Sequence, residues 1–497
     1  MLFNSFDFLF LFLITFLIYY IPACQKSQIL ILLVSSMIFY SWKYPLLLFL
    51  LLLSIWVNAI ITWKMACVQS NKKLGWALRG IFFNLLLLVF FKYGSLLAGF
   101  VGEALNWPFS SKENNIVLFL LHLPLPLGIS FYTFEGISLI VDVLRSKDNQ
   151  KGALVIDVDQ KFNTHLVKSS LFIAFFPHLI AGPILKANNF YPQIQPKYFS
   201  HISWNIVFRS LVVGYFLKMV IADNLKDYTF WIAHPYYQLL STSTGLVLLF
   251  GYSIQIFADF AGYSLIAIGT AAAFGYHLPD NFNFPYISRS VSEFWKRWHI
   301  SLSTWLKDYL YIPLGGNRRG KVRTYINLMI VMILGGLWHG ASLSYAVWGS
   351  YHGFGLVIER FFKNRINANF NQSRNIKQQF IFDAISMILV FCFVSLGWLL
   401  FKLPNFGQVL EFLKIMIINV GLPSNRTLTD PVIILSLPVV VYHLIHLPAF
   451  QKWKDNLFFE KSSSRVGNLC EDIILGGMIA MLFLNSGSSN EFIYFQF

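Results

Sequence analysis

The sequence predicts an all-α protein, a polytopic membrane helix bundle of about 11–12 spans, each needing roughly 20 apolar residues. Three observations carry that reading. Of 497 residues, 56% are hydrophobic and only 12% are charged, whereas a soluble domain has about a quarter charged. Mean hydropathy is +0.59. Apolar runs of near-spanning length recur from one end of the chain to the other, separated by polar or basic segments.

Taken in order, the runs place spans near 6–22, 28–43, 45–63, 80–100, 116–141, 205–221 and 244–275, and then near 324–338, 345–358, 380–401, 431–448 and 470–485. No Lys or Arg precedes the first run, so it is expected to stay as a span rather than be cleaved as a signal peptide. The stretch 169–185 is apolar but contains Pro177, Gly182 and Pro183. Proline breaks the helical hydrogen-bond ladder, so this piece is expected to be a broken or re-entrant helix shielded by protein.

Loop charge orients the spans. Segment 286–323 holds eight Lys or Arg against two acids, and 359–379 holds five against one; both are expected on the cytoplasmic side. Segment 222–243, with Asp223 and Asp227 against Lys226, is expected outside. If 169–185 enters and leaves on the cytoplasmic face, every strongly basic loop falls inside and both termini fall outside. The net charge of +15 is thereby assigned to topology, and nucleic acid is not an expected partner. Cys24, Cys67, Cys392 and Cys470 are scattered, with no pair at metal-ligand spacing. They are expected to be buried small apolar residues, without a disulfide or a metal site. With no soluble domain, linker or repeat in evidence, 1–497 is read as one integral-membrane domain whose chemistry concentrates in 286–355.

The polar residues gather there. Trp295, Trp298, His299, Leu302, Trp305, Leu306 and Tyr309 recur at three- and four-residue steps over 291–310, with Lys296, Ser303 and Lys307 on another face. That spacing predicts an interfacial amphipathic helix with His299 on its apolar side. The bland alternative is a histidine bonded to a backbone carbonyl. The turn that follows, Ile312 to Arg323, has Gly315, Gly316 and Gly320 and crowds Arg318, Arg319, Lys321 and Arg323 together. Such a cluster can grip the phosphates of a cytosolic donor, or simply meet anionic lipid headgroups; the glycine spacing of a P-loop is absent.

His339 closes the helix that starts near Thr324, so it lies roughly 20 Å from the cytoplasmic end at 1.5 Å per residue. An ionisable group at that depth is costly and asks for a reason. A neutral imidazole there can take a proton from an attacking hydroxyl; its alternative is a packing histidine. Gly335, Gly336 and Gly340 allow close backbone approach or a passage beside the ring. Trp338, Trp295, Asp259 and Glu135 are weaker supporting candidates, and Asp142 is a further buried acid; a structural hydrogen bond suffices for each of the acids. His178 and His352 have no supporting neighbours in sequence and are read as packing residues.

Several motifs together resemble the membrane-bound O-acyltransferases, and within them the bacterial alginate O-acetylation branch. They are Pro126-Leu127-Gly128-Ile129-Ser130-Phe131-Tyr132, Phe176-Pro177-His178-Leu179-Ile180-Ala181-Gly182-Pro183 and Asp259-Phe260-Ala261-Gly262-Tyr263. Asn283-Phe284-Pro285-Tyr286, the Phe294–Tyr309 block, Pro313-Leu314-Gly315-Gly316-Asn317-Arg318, Gly335-Gly336-Leu337-Trp338-His339-Gly340 and the closing Phe492–Phe497 complete the set. The resemblance runs nearly end to end, with Lys296 and Lys307 where relatives often carry Arg. It implies that His339 is the catalytic histidine, that His299 is the second histidine of the site, and that the helices surround a central cavity open to both sides. It further implies acyl transfer without a bound cofactor, from acetyl-CoA or another cytosolic thioester, for O-acetylation of an exported polysaccharide. The expected setting is the bacterial cytoplasmic membrane, with a periplasmic acetyltransferase or acyl carrier as partner. His299 would position the acyl carbonyl or stabilise its oxyanion. Two alternatives remain at this point: a D-alanyl transferase for teichoic acids, and a transporter or flippase with a proton relay through Glu135, Asp259 and the histidines.

Overall fold

A computed structural model describes residues 1–104, 126–146, 156, 158–366, 376–403, 405–447 and 465–488. The described residues are helical with no strand, and eight helices are long and apolar enough to cross a membrane; a further apolar helix, Phe6–Tyr19, is shorter. Part of the expected span 116–141, part of the basic segment 359–379 and the closing Phe492–Phe497 motif lie outside the described residues. The chain forms two compact units, residues 1–208 with 266–279, and residues 209–265 with 280–497.

The first unit contains α1 (Phe6–Tyr19), α2 (Gln28–Ser41), α3 (Leu47–Cys67), α4 (Ser70–Ala104), α5 (Ile129–Arg145) and α6 (Phe162–Ala174). Exposed positions on these helices are largely Leu, Ile and Phe, as lipid contact requires, and several of the polar side chains that turn inward bond to one another. Thr15 on α1 meets Ser35 on α2 at 2.7 Å. Asn84 donates to Asn58 Oδ1 at 2.8 Å, joining α4 to α3, and a Cβ at Gly136 would stand 2.7 Å from that amide pair, so α5 approaches only because glycine is there. Helix α6 stops at Ala174, and the non-helical residues 175–185 that follow are buried. Their backbone is not left bare: Phe176 N–H donates to Ser36 Oγ at 3.1 Å and Leu185 N–H to Glu135 Oε1 at 3.4 Å. The prolines end this helix as the sequence reading expects, and side chains from neighbouring helices supply what the ladder no longer can.

The second unit takes most of α7 (Trp204–Ile232) and α8 (Thr242–Ala273), then α9 (Val291–Arg297), α10 (Ile300–Leu306), α11 (Lys321–His339), α12 (Leu343–Ile366), α13 (Ile376–Lys402), α14 (Phe406–Ile418), α15 (Arg426–Leu444) and α16 (Arg465–Leu484). Helix α14 has no counterpart among the expected spans. Helix α7 widens into a π-helix over Phe216–Ala222, a local form often found at functional positions. Helices α11 and α12 run antiparallel in close contact. A Cβ at Gly336 would overlap the Tyr345 carbonyl, and one at Gly349 the Met332 carbonyl. The expected close approach at Gly336 is therefore made, and by backbone against backbone.

Two expectations are overturned. The stretch 291–310 is not one helix: it breaks at Trp298 and His299, and residues 307–311 then form a π-helical turn. The cysteines are not buried. Cys24 is half-buried and the other three are exposed, Cys392 and Cys470 on outward helix faces where a thiol is as compatible with lipid as with a core. All four are free.

Candidate active site

The site is built where α9 should have continued. His299 has φ +44°, in the left-handed region that a β-carbon disfavours, and Phe284 shares it at +46°. A backbone held there needs partners that over-determine it, and the segment 281–283 provides them. Asn283 N–H donates to the Arg297 carbonyl at 2.9 Å, and Ile300 N–H to the Asn281 carbonyl at 2.9 Å. The Asn281 side chain completes the clamp: its Oδ1 accepts from Ser301 Oγ at 2.6 Å, from Ser301 N–H at 3.3 Å and from His299 Nδ1 at 3.3 Å. Its Nδ2 donates to Ser264 Oγ at 3.1 Å, tying the clamp to α8. The helical pattern of 291–310 is real in each half, but this tertiary clamp wins at the junction.

The clamp also sets the tautomer of His299. Asn281 Oδ1 already receives a backbone N–H, so it is an acceptor, and His299 must present Nδ1–H to it. Nε2 of the neutral ring is then an acceptor as well. The ring is 1% exposed, and burial pushes its pKa down to about 3. His299 is therefore a neutral hydrogen-bond acceptor at Nε2.

His339 ends α11, with Gly340 as the extended residue that stops the helix. Its ring lies 6.5 Å from that of His299, between centroids, so the structure brings together the two histidines singled out from sequence. Trp338 touches both, at 6.0 Å from His299 and 5.0 Å from His339. Trp348 and Phe401 stand against His339 at 5.3 and 5.2 Å, and Phe260 meets His299 edge-on at 4.6 Å. Two imidazoles inside an aromatic shell are shielded from bulk water, where electrostatic effects on a reacting group are strengthened.

The basic turn is in place beside α11. Gly315, Gly316 and Gly320 all have positive φ, and Asn327 Nδ2 donates to the Gly316 carbonyl at 3.0 Å, pinning the turn to the helix. Arg318, Arg319, Lys321 and Arg323 are exposed, and among the described residues none of them has an ion-pair partner. At 1.5 Å per residue, Lys321 lies roughly 27 Å from His339 along α11.

The remaining candidates separate. Trp295 faces Trp348 at 5.7 Å rather than His299. Asp259 is bound by Lys218 of the π-helical segment, which also binds Asp223, each at 2.8 Å and with all three side chains buried. Glu135 belongs to the first unit, where His178 Nδ1 stands 3.0 Å from its Oε1, both fully buried. Asp142 accepts from Asn188 N–H at 3.2 Å. The two acids that a transporter's proton relay would need are thus committed to close ion-pair or hydrogen-bond partners. Sequence reasoning missed Asn281, Lys218 and the partner of His178. Lys218 carried a usable signal, since a lone lysine in Val212–Ile221 is as costly in a span as Asp259. Asn281 carried little: it reads as one more loop asparagine.

Comparison with known proteins gives the family. The profile of the membrane-bound O-acyltransferase family matches residues 34–401. The chain is 38% identical to a probable alginate O-acetylase of Pseudomonas syringae pv. tomato, over 82% of this chain and 73% of that protein. It is 34% identical to the peptidoglycan O-acetyltransferase of Helicobacter pylori, over 84% of this chain and 80% of that one. A teichoic acid D-alanyltransferase of Bacillus subtilis is 28% identical over 60% of this chain and 73% of its own length. The family profile spans about three quarters of the chain, which is a multi-pass membrane acyltransferase and belongs to the membrane-bound O-acyltransferase family.

Proposed function

We propose that this enzyme, in the bacterial cytoplasmic membrane, moves an acetyl group from a cytosolic thioester, acetyl-CoA or a similar donor, toward O-acetylation of an exported or cell-surface polysaccharide. The observation that carries this reading is the pair of buried imidazoles 6.5 Å apart, one ending a spanning helix and the other clamped in a single tautomer. Relatives named for O-acetylation, at 34–38% identity over four-fifths of the chain, support acetyl over D-alanyl transfer. A periplasmic acetyltransferase or acyl carrier is the partner that would finish the modification outside.

His339 acts as general base. It takes the proton of the acceptor hydroxyl as that oxygen attacks the thioester carbonyl; the carbon–oxygen bond forms, the carbon–sulfur bond breaks, and the imidazolium returns the proton to the departing thiolate. For His299 we propose a role toward the hydroxyl acceptor in place of positioning the acyl carbonyl or stabilising its oxyanion. With its proton on Nδ1 it accepts at Nε2, so it orients a hydroxyl-bearing acceptor beside His339. Asn281→Ala releases this turn and is expected to lower kcat about 100-fold, the usual cost of a misplacement near 1 Å, with unchanged amounts of protein in the membrane. Asn281→Asp, which keeps the acceptor, should retain more activity than alanine.

Arg318, Arg319, Lys321 and Arg323 hold the donor's phosphates. Arg318→Glu with Arg319→Glu is expected to raise the donor KM about tenfold at low salt and by less at high salt, because exposed charges are screened. A donor KM that does not move would remove the phosphate grip. The reaction itself is tested with purified protein in nanodiscs, following the free thiol released from a thioester with and without a polysaccharide or partner acceptor. Absence of acceptor-dependent release from every thioester offered would end the acetyl-transfer reading.

A further inference from the structure

The aromatic shell of His339 continues on its far side. Trp348 meets both His339 and His352 in T-shaped contacts, at 5.3 and 4.9 Å between centroids, and Trp295 closes on His352 at 5.2 Å. His352 is fully buried. Among the described residues neither of its ring nitrogens has a hydrogen-bond partner, and the indole nitrogens of Trp295 and Trp348 have none either. Buried polar atoms are nearly always bonded, so three neighbouring side chains with unbonded nitrogens mark a place where a ligand would supply the bonds. Helix α13 packs against Nε2 of His352 through Gly397, a residue that brings no side-chain partner, and a Cβ there would stand 2.9 Å from that nitrogen.

The place of this cluster along α11 matters. Gly349 packs on Met332 and Gly353 on Met329, so His352 is level with that turn. It therefore sits about nine residues, or roughly 13 Å at 1.5 Å per residue, from His339 toward the basic turn at Lys321. A neutral imidazole offers one N–H and one lone pair, and each indole adds an N–H. A secondary amide presents the complementary carbonyl and N–H. A hydrocarbon chain presents neither.

We propose that His352, Trp295 and Trp348 form a second polar subsite that binds the amide-bearing arm of the acyl thioester on its way to His339. This rests on the thioester-donor reading above and adds a residue-level site to it. Free coenzyme and a carrier protein both present such an arm.

The test compares two acetyl thioesters with purified protein in nanodiscs: that of N-acetylcysteamine, which has one amide, and that of butanethiol, of similar length with none. Wild type is expected to favour the amide. His352→Phe should raise KM for the amide thioester about tenfold, the size of one hydrogen bond, with kcat within about twofold and the amide-free thioester unaffected. His352→Asn, which keeps a donor and an acceptor, should recover part of the loss. Gly397→Ala, whose methyl reaches Nε2, should reproduce the effect and serves where His352→Phe does not fold. Equal KM changes for both thioesters, a change in kcat alone, or a change in the KM of the polysaccharide acceptor would overturn the subsite. Transfer by wild type from neither thioester, nor from acetyl-CoA nor an acetylated carrier, instead overturns the donor reading beneath it. With washed membranes, turnover on acetyl-CoA alone assigns the arm to the free coenzyme, and a requirement for an acetylated carrier assigns it to the carrier.

Discussion

Replacing His339 with alanine is expected to lower acyl transfer by about 10²–10⁴-fold, the range that a positioned general base supplies. The loss should appear in kcat, because the proton transfer it serves belongs to the transition state. His339→Gln is the sharper variant. Its amide fills much of the same space against Trp338, Trp348 and Phe401 and keeps a hydrogen-bonding group, yet it cannot accept a full proton near neutral pH. It should therefore fall as far as alanine. The check is acetate on surface polysaccharide and thioester turnover in nanodiscs, each normalised to the protein present in the membrane. A glutamine variant with near wild-type kcat would mean that the imidazole only packs.

Lys218→Met is expected to be the most destabilising single change. Its ammonium is the counter-ion of both Asp223 and Asp259 at 2.8 Å, in a setting where all three side chains are no more than 6% exposed. Removing it strands two buried carboxylates next to one another, which typically costs about 3–5 kcal/mol. Gly262 packs against the backbone at Gly214 and Lys218, so the disturbance reaches α8 next to Phe260 and the His299 ring. Protein accumulation in the membrane and the thermal midpoint in detergent should both drop sharply. Neutralising the acids along with the lysine, Lys218→Met with Asp223→Asn and Asp259→Asn, should recover most of the stability, since the penalty lies in the unpaired charges. A triple variant as unstable as the single one would show that the lysine's packing, rather than its charge, holds the segment.

The helices were legible because each had to satisfy its own backbone in lipid. That demand writes an apolar run of nearly fixed length into the sequence, whatever the neighbours do. The termination of α6 at Ala174 was legible for the same reason, through its prolines. His339 at the end of α11 and the basic turn before it could be read from local spacing. The break at His299 could not, since 291–310 carries a helical period throughout and the competing clamp comes from Asn281, 18 residues away. Helix α14 also escaped notice: its 13 residues are too short to stand out as a span.

By itself the sequence determined that this is a membrane bundle, where most of its helices run, and which block holds two histidines and a basic turn. Those are properties of local composition and period. Only the tertiary structure decided that the two imidazoles meet, which tautomer His299 takes, that Lys218 neutralises Asp259, that His178 stands against Glu135, and that His352 faces two indoles without a partner. Each of these depends on which helix faces which. A buried polar atom finds its partner through packing between distant segments, and that choice leaves no period in the chain.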